Sequence, residues 1–302
     1  MPPPPKRLAS VKPGRSFPAA AASGGKVYVF GGFDPQGGKP LDLRVFEPKA
    51  ERWSAAQPFG WAFSHGIAAA YGGKVYVAGG CADSDCRVGV TRDLRIYDPM
   101  AATVVPGPAM PTRRIWAASA FDEKRWYFAG GSGPCPPCEM KDRLEAYDFA
   151  DARWVLLAPM PRPRWKASAA IVGRTMIVMG GELSPGRFTD MVDAYDIDSD
   201  RWSPRKPMPA PRCFTAVAAI GTRIYVAGGA GLDATDNAKS VPTLEAYDPE
   251  ADRWERKRDM PAATSAIQGV AMDGRLEVVG EVLFLYDPGS DRWTSLPGVP
   301  ND

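Results

Sequence analysis

The chain has 302 residues, with 37 Lys and Arg against 35 Asp and Glu, so its net charge at neutral pH is +2. This balance excludes a globally basic nucleic-acid-binding protein, and we expect no nucleic-acid partner. Its 31 glycines and 31 prolines indicate many turns, while a hydrophobic content of 45% indicates a folded core. A single histidine excludes sites that are built from two or three imidazoles.

The N-terminal segment, residues 1–14, is rich in proline and is predicted to be a tail. It is not followed by the apolar stretch of a secretory signal. No segment of the chain approaches the roughly 18 consecutive apolar residues of a membrane span. We therefore expect a cytoplasmic protein with no membrane partner, whose five cysteines are mostly reduced.

A repeat of about 50 residues covers the rest of the chain, residues 15–302. Glycine pairs end short apolar runs at Gly31-Gly32, Gly79-Gly80, Gly130-Gly131, Gly180-Gly181 and Gly228-Gly229, and Gly280-Glu281 is a damaged sixth copy. Each copy then has an aromatic residue and, seven positions later, usually a tryptophan: Phe46/Trp53, Tyr97/Val104, Tyr147/Trp154, Tyr195/Trp202, Tyr247/Trp254 and Tyr286/Trp293. We interpret these repeated residues as structural.

This combination of glycine pairs, aromatics and tryptophans resembles the kelch repeat. The resemblance implies an all-β fold, a six-bladed β-propeller of four-stranded antiparallel blades. The predicted blades cover approximately residues 15–61, 62–111, 112–161, 162–209, 210–261 and 262–302.

Blade five illustrates the four strands. An apolar run, Phe214–Ile220, predicts a buried inner strand, and Arg223–Ala227 returns after a tight turn. Thr243–Tyr247 alternates as a third strand, and Trp254 begins the outer strand. The first and last units contain their own inner and outer strands, so we expect each blade to be continuous in sequence.

Strand order predicts which loops share a face of the propeller. The link between blades and the loop after each glycine pair lie on one face, which we call the mouth face. These loops differ from one another in length and chemistry, which favours recognition there. One equivalent position of each link, 16 residues before the first glycine, is occupied by Arg15, Phe63, Arg114, Arg164, Arg212 and Thr264.

The residues around these positions form the predicted ligand site. Arginine offers a planar fork for carboxylates, and aromatic residues are enriched at binding hot spots. The candidate ligand-binding residues are Arg15, Trp61, Phe63, His65, Arg114, Trp116, Arg164, Trp165, Lys166, Arg212 and Phe214. The kelch resemblance implies two alternatives for the arginines. They hold acidic peptide segments, as in kelch adaptors, or they belong to the repeat consensus and only fix the loop.

Two cysteine pairs lie in mouth-face loops of neighbouring blades. Cys81 and Cys86 follow the second glycine pair, and Cys135 and Cys138 follow the third. The spacing is compatible with one structural zinc held by all four thiolates, with two local disulfides, or with four reduced thiols. Cys213 is interpreted as a buried strand residue. No other cofactor is expected.

The loop after the fourth glycine pair is similar to a loop of bacterial sialic acid mutarotases, which are also kelch propellers. The similarity implies an acid–base role for Glu182, with Arg187 one residue before the matching arginine position and Phe188 occupying that position. The favoured hypothesis is instead a non-enzymatic, monomeric protein-interaction module. It would bind an acidic or aromatic-containing peptide segment as an adaptor or scaffold, and a mutarotase-like enzyme acting on an acidic sugar such as N-acetylneuraminate is the alternative.

Overall fold

A computed structural model describes residues 16–32, 42–54, 57–61, 63–82, 86–87, 89–135, 138–233, 237–280 and 283–296. These residues form six antiparallel sheets arranged as the blades of a β-propeller, as the repeat predicts. The tail, residues 1–14, lies outside the described residues. No helix in the described part of the chain combines the length and the apolar character that crossing a bilayer requires.

Each blade takes its inner, second, third and outer strand consecutively from the chain. The strands of blades one to three are Ala19–Ser23, Lys26–Phe30, Asp42–Glu47 and Arg52–Trp53; Ile67–Tyr71, Lys74–Ala78, Leu94–Asp98 and Thr103–Gly107; and Ala118–Phe121, Arg125–Ala129, Leu144–Asp148 and Arg153–Leu157. The strands of blades four to six are Ser168–Val172, Thr175–Met179, Val192–Asp196 and Arg201–Arg205; Ala216–Ile220, Arg223–Ala227, Leu244–Asp248 and Arg253–Arg256; and Gln268–Met272, Arg275–Val279, Leu283–Asp287 and Arg292–Leu296.

A few shorter elements are added to the four-stranded blades. A short strand, Gln57–Pro58, adds to the third strand of blade one, and a 3₁₀ turn covers Pro48–Ala50. The mouth-face loops of blades four and five form two-stranded hairpins, Glu182–Ser184 with Arg187–Phe188 and Ala230–Leu232 with Ala238–Ser240.

The core lies between neighbouring blades rather than within one sheet. Apolar clusters join the facing sides of blades one and two, three and four, and five and six. The ring closes through a further cluster that joins blade six to blade one, where Val270 and Val279 pack with Val27 and Val29. Since each blade buries its faces only against its neighbours, the six blades stabilise one another as a closed ring.

The repeated tryptophans connect successive blades. The indole N–H of Trp202 donates to the carbonyl oxygen of Ala158 in the preceding blade (2.8 Å), and Trp254 donates in the same way to Lys206 (3.0 Å). The repeated tyrosine packs against this tryptophan, with ring centroids 5.1 Å apart for Tyr195 and Trp202. The structural interpretation of the repeat aromatics is confirmed.

The glycine pairs are required because a neighbouring backbone occupies the space of a side chain. Gly180 has φ +61°, and a Cβ there would overlap the carbonyl oxygen of Arg212. Gly173, in a tight turn, has a similar φ of +58° but nothing within 4 Å of its Cβ position.

We predict that Gly180→Ala destabilises the fold much more than Gly173→Ala. Both substitutions place alanine in a left-handed conformation, which costs about 1–2 kcal/mol. Only Gly180→Ala adds a clash with the backbone, so we expect it to lower the free energy of unfolding by roughly 2 kcal/mol more than Gly173→Ala does. Urea denaturation of the two variants measures the difference, and equal midpoints would show that the close approach at Gly180 does not matter.

Candidate ligand-binding mouth

Six equivalent residues stand at the entry to the six inner strands, all in the left-handed region of backbone space. We call them the mouth ring: Phe17, His65, Trp116, Lys166, Phe214 and Ala266. Their φ angles lie between 54° and 59°. This conformation is strained for large side chains, and such strain clusters at ligand sites. The strain at Phe214 also explains why the inner strand of blade five starts at Ala216, two residues later than the predicted Phe214.

Backbone hydrogen bonds join the mouth ring from blade to blade. The N–H of four mouth-ring residues donates to the carbonyl of the preceding one: Phe17 to Ala266 (3.1 Å), His65 to Phe17 (3.2 Å), Lys166 to Trp116 (2.8 Å) and Phe214 to Lys166 (3.0 Å). This bond is therefore present at four of the six boundaries between neighbouring blades. The bond between Phe17 and Ala266 also closes the propeller between its first and last blades.

The side chains of the mouth-ring residues converge on the propeller axis. The ring centroids of Phe17 and Phe214, which belong to blades one and five, are 5.0 Å apart, and those of Phe17 and His65 are 4.1 Å apart. Trp116 packs edge-on against His65 at 5.2 Å and against Phe214 at 6.2 Å. Phe17, Trp116 and Phe214 remain partly exposed, so an aromatic surface faces solvent at the mouth.

Lys166 is the cation of this cluster. Its ammonium lies 4.6 Å from the ring centroid of Trp165, 5.3 Å from that of Trp116 and 5.2 Å from that of Phe214. It also binds both carboxylate oxygens of Glu182, at 2.9 and 3.0 Å. The aromatic cage and the carboxylate together fix the ammonium against the floor of the mouth.

Two cavities follow the axis. A cavity of about 60 Å³ is lined by all six mouth-ring residues. A larger one, of about 380 Å³, follows the inner strands and is lined mainly by alanines, with Ser119, Ser168, Thr215 and Gln268 as polar groups. Phe121 lies at the far end of an inner strand and is 48% exposed, so it marks the opposite end of this channel.

The predicted mouth arginines lie inside the blades, which corrects their proposed role. Arg114, Arg164 and Arg212 are only 1%, 0% and 2% exposed. Each forms an ion pair with an acidic residue on the third strand of its own blade: Arg114 with Glu145 (2.7 Å), Arg164 with Asp193 (2.7 Å) and Arg212 with Glu245. These guanidinium groups cannot reach a ligand, so the second alternative, fixation of the loop, applies.

Carbonyl contacts strengthen this structural role. Arg114 donates to the carbonyl oxygens of Phe128 and Gly130, at 3.3 and 3.1 Å. Arg212 donates to those of Gly228 and Thr243, at 3.1 and 3.3 Å. The arginines thus hold the link segment against the glycine pair. Burial lowers the pKa of Arg164, and the neighbouring carboxylate of Asp193 opposes that shift.

The remaining predicted ligand residues are divided between two places. His65, Trp116, Trp165, Lys166 and Phe214 come together at the mouth as described above. Phe63 is fully buried and stacks on Trp61 at 4.4 Å, in the core between blades one and two. Arg15 lies outside the described residues.

Two mouth-ring residues, Phe17 and Ala266, were not predicted as site residues. The spacing of the repeat was the available signal, because both stand two residues after the aligned link position. The sequence also contained a signal for the acidic partners of the buried arginines. Glu145, Asp193 and Glu245 each stand two residues before the repeated tyrosine, only in the three blades whose link arginine is described.

The cysteine loops are adjacent, as predicted, but their sulfurs form two disulfides, Cys81–Cys86 and Cys135–Cys138. The N–H of Cys135 donates to the carbonyl of Cys86 at 3.3 Å. The expectation of mostly reduced cysteines is therefore wrong, and a zinc held by all four sulfurs does not fit this arrangement. Short spacing brings each pair of Cα atoms to 5.3 or 4.1 Å, within or near disulfide range.

Glu182 and Arg187 do not form a joint catalytic pair. Glu182 is 2% exposed, and its carboxylate accepts hydrogen bonds from Trp165 and Lys166. Arg187 is exposed on the hairpin, and it is Phe188 that pairs with Glu182. Cys213 is buried beside Glu182, as predicted, and burial raises the pKa of its thiol. It is not a strand residue, however, because the inner strand of blade five starts at Ala216 and Cys213 forms only an isolated bridge with Ala230.

Comparisons with known proteins agree with this architecture. A sequence model of the Kelch motif matches residues 14–60, 166–209 and 211–261. Kelch-like protein 25 of Xenopus tropicalis is 28% identical over 297 residues, which cover 93% of this chain and 41% of that protein. Kelch-like protein 25 of Rattus norvegicus is 30% identical over 226 residues, which cover 70% of this chain and 37% of that protein.

The chain thus spans about two fifths of the length of these kelch-like relatives. The solved structure of YjhT is similar in fold, with a TM-score of 0.78 at 15% identity over 95% of this chain and 99% of that chain. The fold, the repeat and the matching motifs together define a kelch-repeat β-propeller. This chain belongs to that family.

Proposed function

We propose that this propeller is a protein-interaction module, an adaptor or scaffold that binds a peptide segment at the mouth ring. The observation that carries the proposal is the ring itself. Six residues in a strained conformation, joined by backbone hydrogen bonds into two groups of three, present a partly exposed aromatic surface on the mouth face. A rigid aromatic surface loses little conformational entropy when it binds, which makes it a good anchor for a partner.

The peptide class follows from the chemistry of the mouth. Phe17, Trp116 and Phe214 offer rings against which an aromatic or apolar side chain can pack. Acidic side chains would be attracted by Arg113 and Arg162, which are exposed on the links that lead to Trp116 and Lys166. Neither arginine has a carboxylate partner among the described residues. The acidic preference thus rests on these exposed arginines and not on the buried ones.

A peptide-display experiment tests the proposal. We expect acidic peptides with one aromatic residue to be enriched on the monomeric protein. Trp116→Ala should weaken the binding of a selected peptide at least about tenfold, because it removes a central aromatic anchor. Phe121→Ala is the matched control, an exposed aromatic at the other end of the channel, and it should bind as the wild type does.

Charge is tested separately with Arg113→Glu and Arg162→Glu. Both should slow association and make the affinity less sensitive to salt, because exposed charges act mainly through steering. Folding is checked by thermal denaturation of each variant. A selected peptide that binds Trp116→Ala and wild type equally would refute the mouth ring as the binding site.

A further inference from the structure

We propose that the reduced protein contains a zinc-binding site formed by His65, Cys81 and Cys86, directly beneath the mouth ring. The ligand atoms of these three residues lie within 4.8 Å of one another, and all three residues are buried. This set differs from the four-cysteine arrangement that the spacing suggested. It requires neither Cys135 nor Cys138.

The distances around the histidine already fit a tetrahedral ion. Nδ1 of His65 lies 3.4 Å from Sγ of Cys86 and 3.5 Å from Sγ of Cys81. Usual Zn–N and Zn–S bond lengths place such ligands about 3.5 Å apart on the edge of a tetrahedron. Only the two sulfurs must separate, to about 3.8 Å by the same bond lengths.

Ser64 is our candidate for the fourth corner of the tetrahedron. Its Oγ lies 2.9 Å from Nδ1 of His65 and 3.4 Å from Sγ of Cys81. Ser64 and Cys81 also exchange backbone hydrogen bonds at 3.0 and 2.9 Å, so the link and the loop hold these side chains in place together. A hydroxyl or a water molecule at that corner would complete four-coordination.

The chemistry selects a thiophilic ion and requires reduction first. An external dithiol breaks the Cys81–Cys86 bond by transferring two electrons and two protons, and is itself oxidised to a disulfide. Zinc then displaces the two thiol protons into solvent. Two thiolates balance the charge of Zn²⁺, so the buried site, where both cysteines are at most 1% exposed, remains neutral.

The position of His65 connects this site with the mouth. Its imidazole packs against Phe17 and Trp116, and it is itself a member of the mouth ring. Metal binding through Nδ1 would therefore fix one side of the aromatic surface.

Cobalt(II) titration of the purified full chain tests the site, with Co²⁺ as a spectroscopic substitute for Zn²⁺. After anaerobic reduction with a phosphine, we expect one Co²⁺ per chain, with thiolate-to-cobalt charge-transfer absorption that Zn²⁺ abolishes. The oxidised protein should show none. Cys81→Ser and His65→Asn should each weaken binding at least about tenfold, while Cys135→Ser combined with Cys138→Ser should retain one Co²⁺.

His65→Asn keeps a residue that tolerates the left-handed backbone, so it separates ligation from folding. A thermal shift on addition of Zn²⁺, in the reduced wild type only, provides a second readout. Absence of bound Co²⁺ from the reduced wild type would overturn the proposal. So would binding that survives His65→Asn but requires Cys135 and Cys138.

Discussion

Asp193→Ala is expected to lower the free energy of unfolding by about 3–5 kcal/mol, because it leaves the buried guanidinium of Arg164 without its partner. The pair is 2.7 Å apart, and neither side chain is more than 6% exposed. Urea denaturation monitored by tryptophan fluorescence measures the loss. An unfolding free energy within about 1 kcal/mol of the wild type would contradict the structural role of the arginines.

Two control variants test whether the loss of stability in Asp193→Ala comes from the buried charge of Arg164. Asp198→Ala removes a partner of Arg174 from an exposed pair, whose side chains are 50% and 66% exposed, and should cost about 1 kcal/mol or less. Replacing both members of the buried pair, Arg164→Met with Asp193→Leu, should recover much of the lost stability. The double variant distinguishes an uncompensated charge from a simple loss of packing.

Glu277→Gln is expected to stabilise the protein by roughly 3 kcal/mol above pH 7, with little effect near pH 4.5. Glu277 is 1% exposed and, by strand pairing, shares a face with Val270 and Leu285, toward the seam between blades six and one. Its Oε2 has no hydrogen-bond partner among the described residues. Burial, and secondarily Asp273, raises the pKa of Glu277 to about 7.

The direction of the pH dependence follows from that shift. Because the folded state holds the proton more tightly than the unfolded state, stability is highest below the unfolded pKa. It falls as the pH rises through about 7. Glutamine resembles the protonated acid and should remove this decline. Glu250→Gln, at an exposed turn position, should leave the decline intact, and parallel stability–pH curves for wild type and Glu277→Gln would contradict the assignment.

The sequence predicted the blades well because their determinants are local and repeated. Glycine pairs are needed where a neighbouring carbonyl occupies the space of Cβ, and Trp202 is needed where its indole N–H bonds to the preceding blade. These requirements recur in most blades and therefore leave a periodic pattern in the sequence. The predicted second strand of blade five, Arg223–Ala227, agrees with the structure at both ends.

The mouth was predicted less well because the spacing of residues does not show in which direction a side chain points. Arg164 aligns with the mouth, but its side chain turns into the blade because Asp193 offers a buried partner there. The mouth ring leaves no pattern of residue type, since Phe17, Lys166 and Ala266 share no chemistry. Their equivalence is visible only in their position, two residues after the aligned link position, and in their common backbone conformation.

The most direct test of the central claim observes the tryptophan indole N–H signals by two-dimensional ¹H–¹⁵N NMR while a selected acidic–aromatic peptide is added. The signal of Trp116, assigned with Trp116→Phe, should shift with peptide concentration because its ring forms the mouth surface. The indoles of Trp154, Trp202, Trp254 and Trp293 are bonded to neighbouring blades and should stay in place. Saturable shifts among these four with none at Trp116 would contradict binding at the mouth ring.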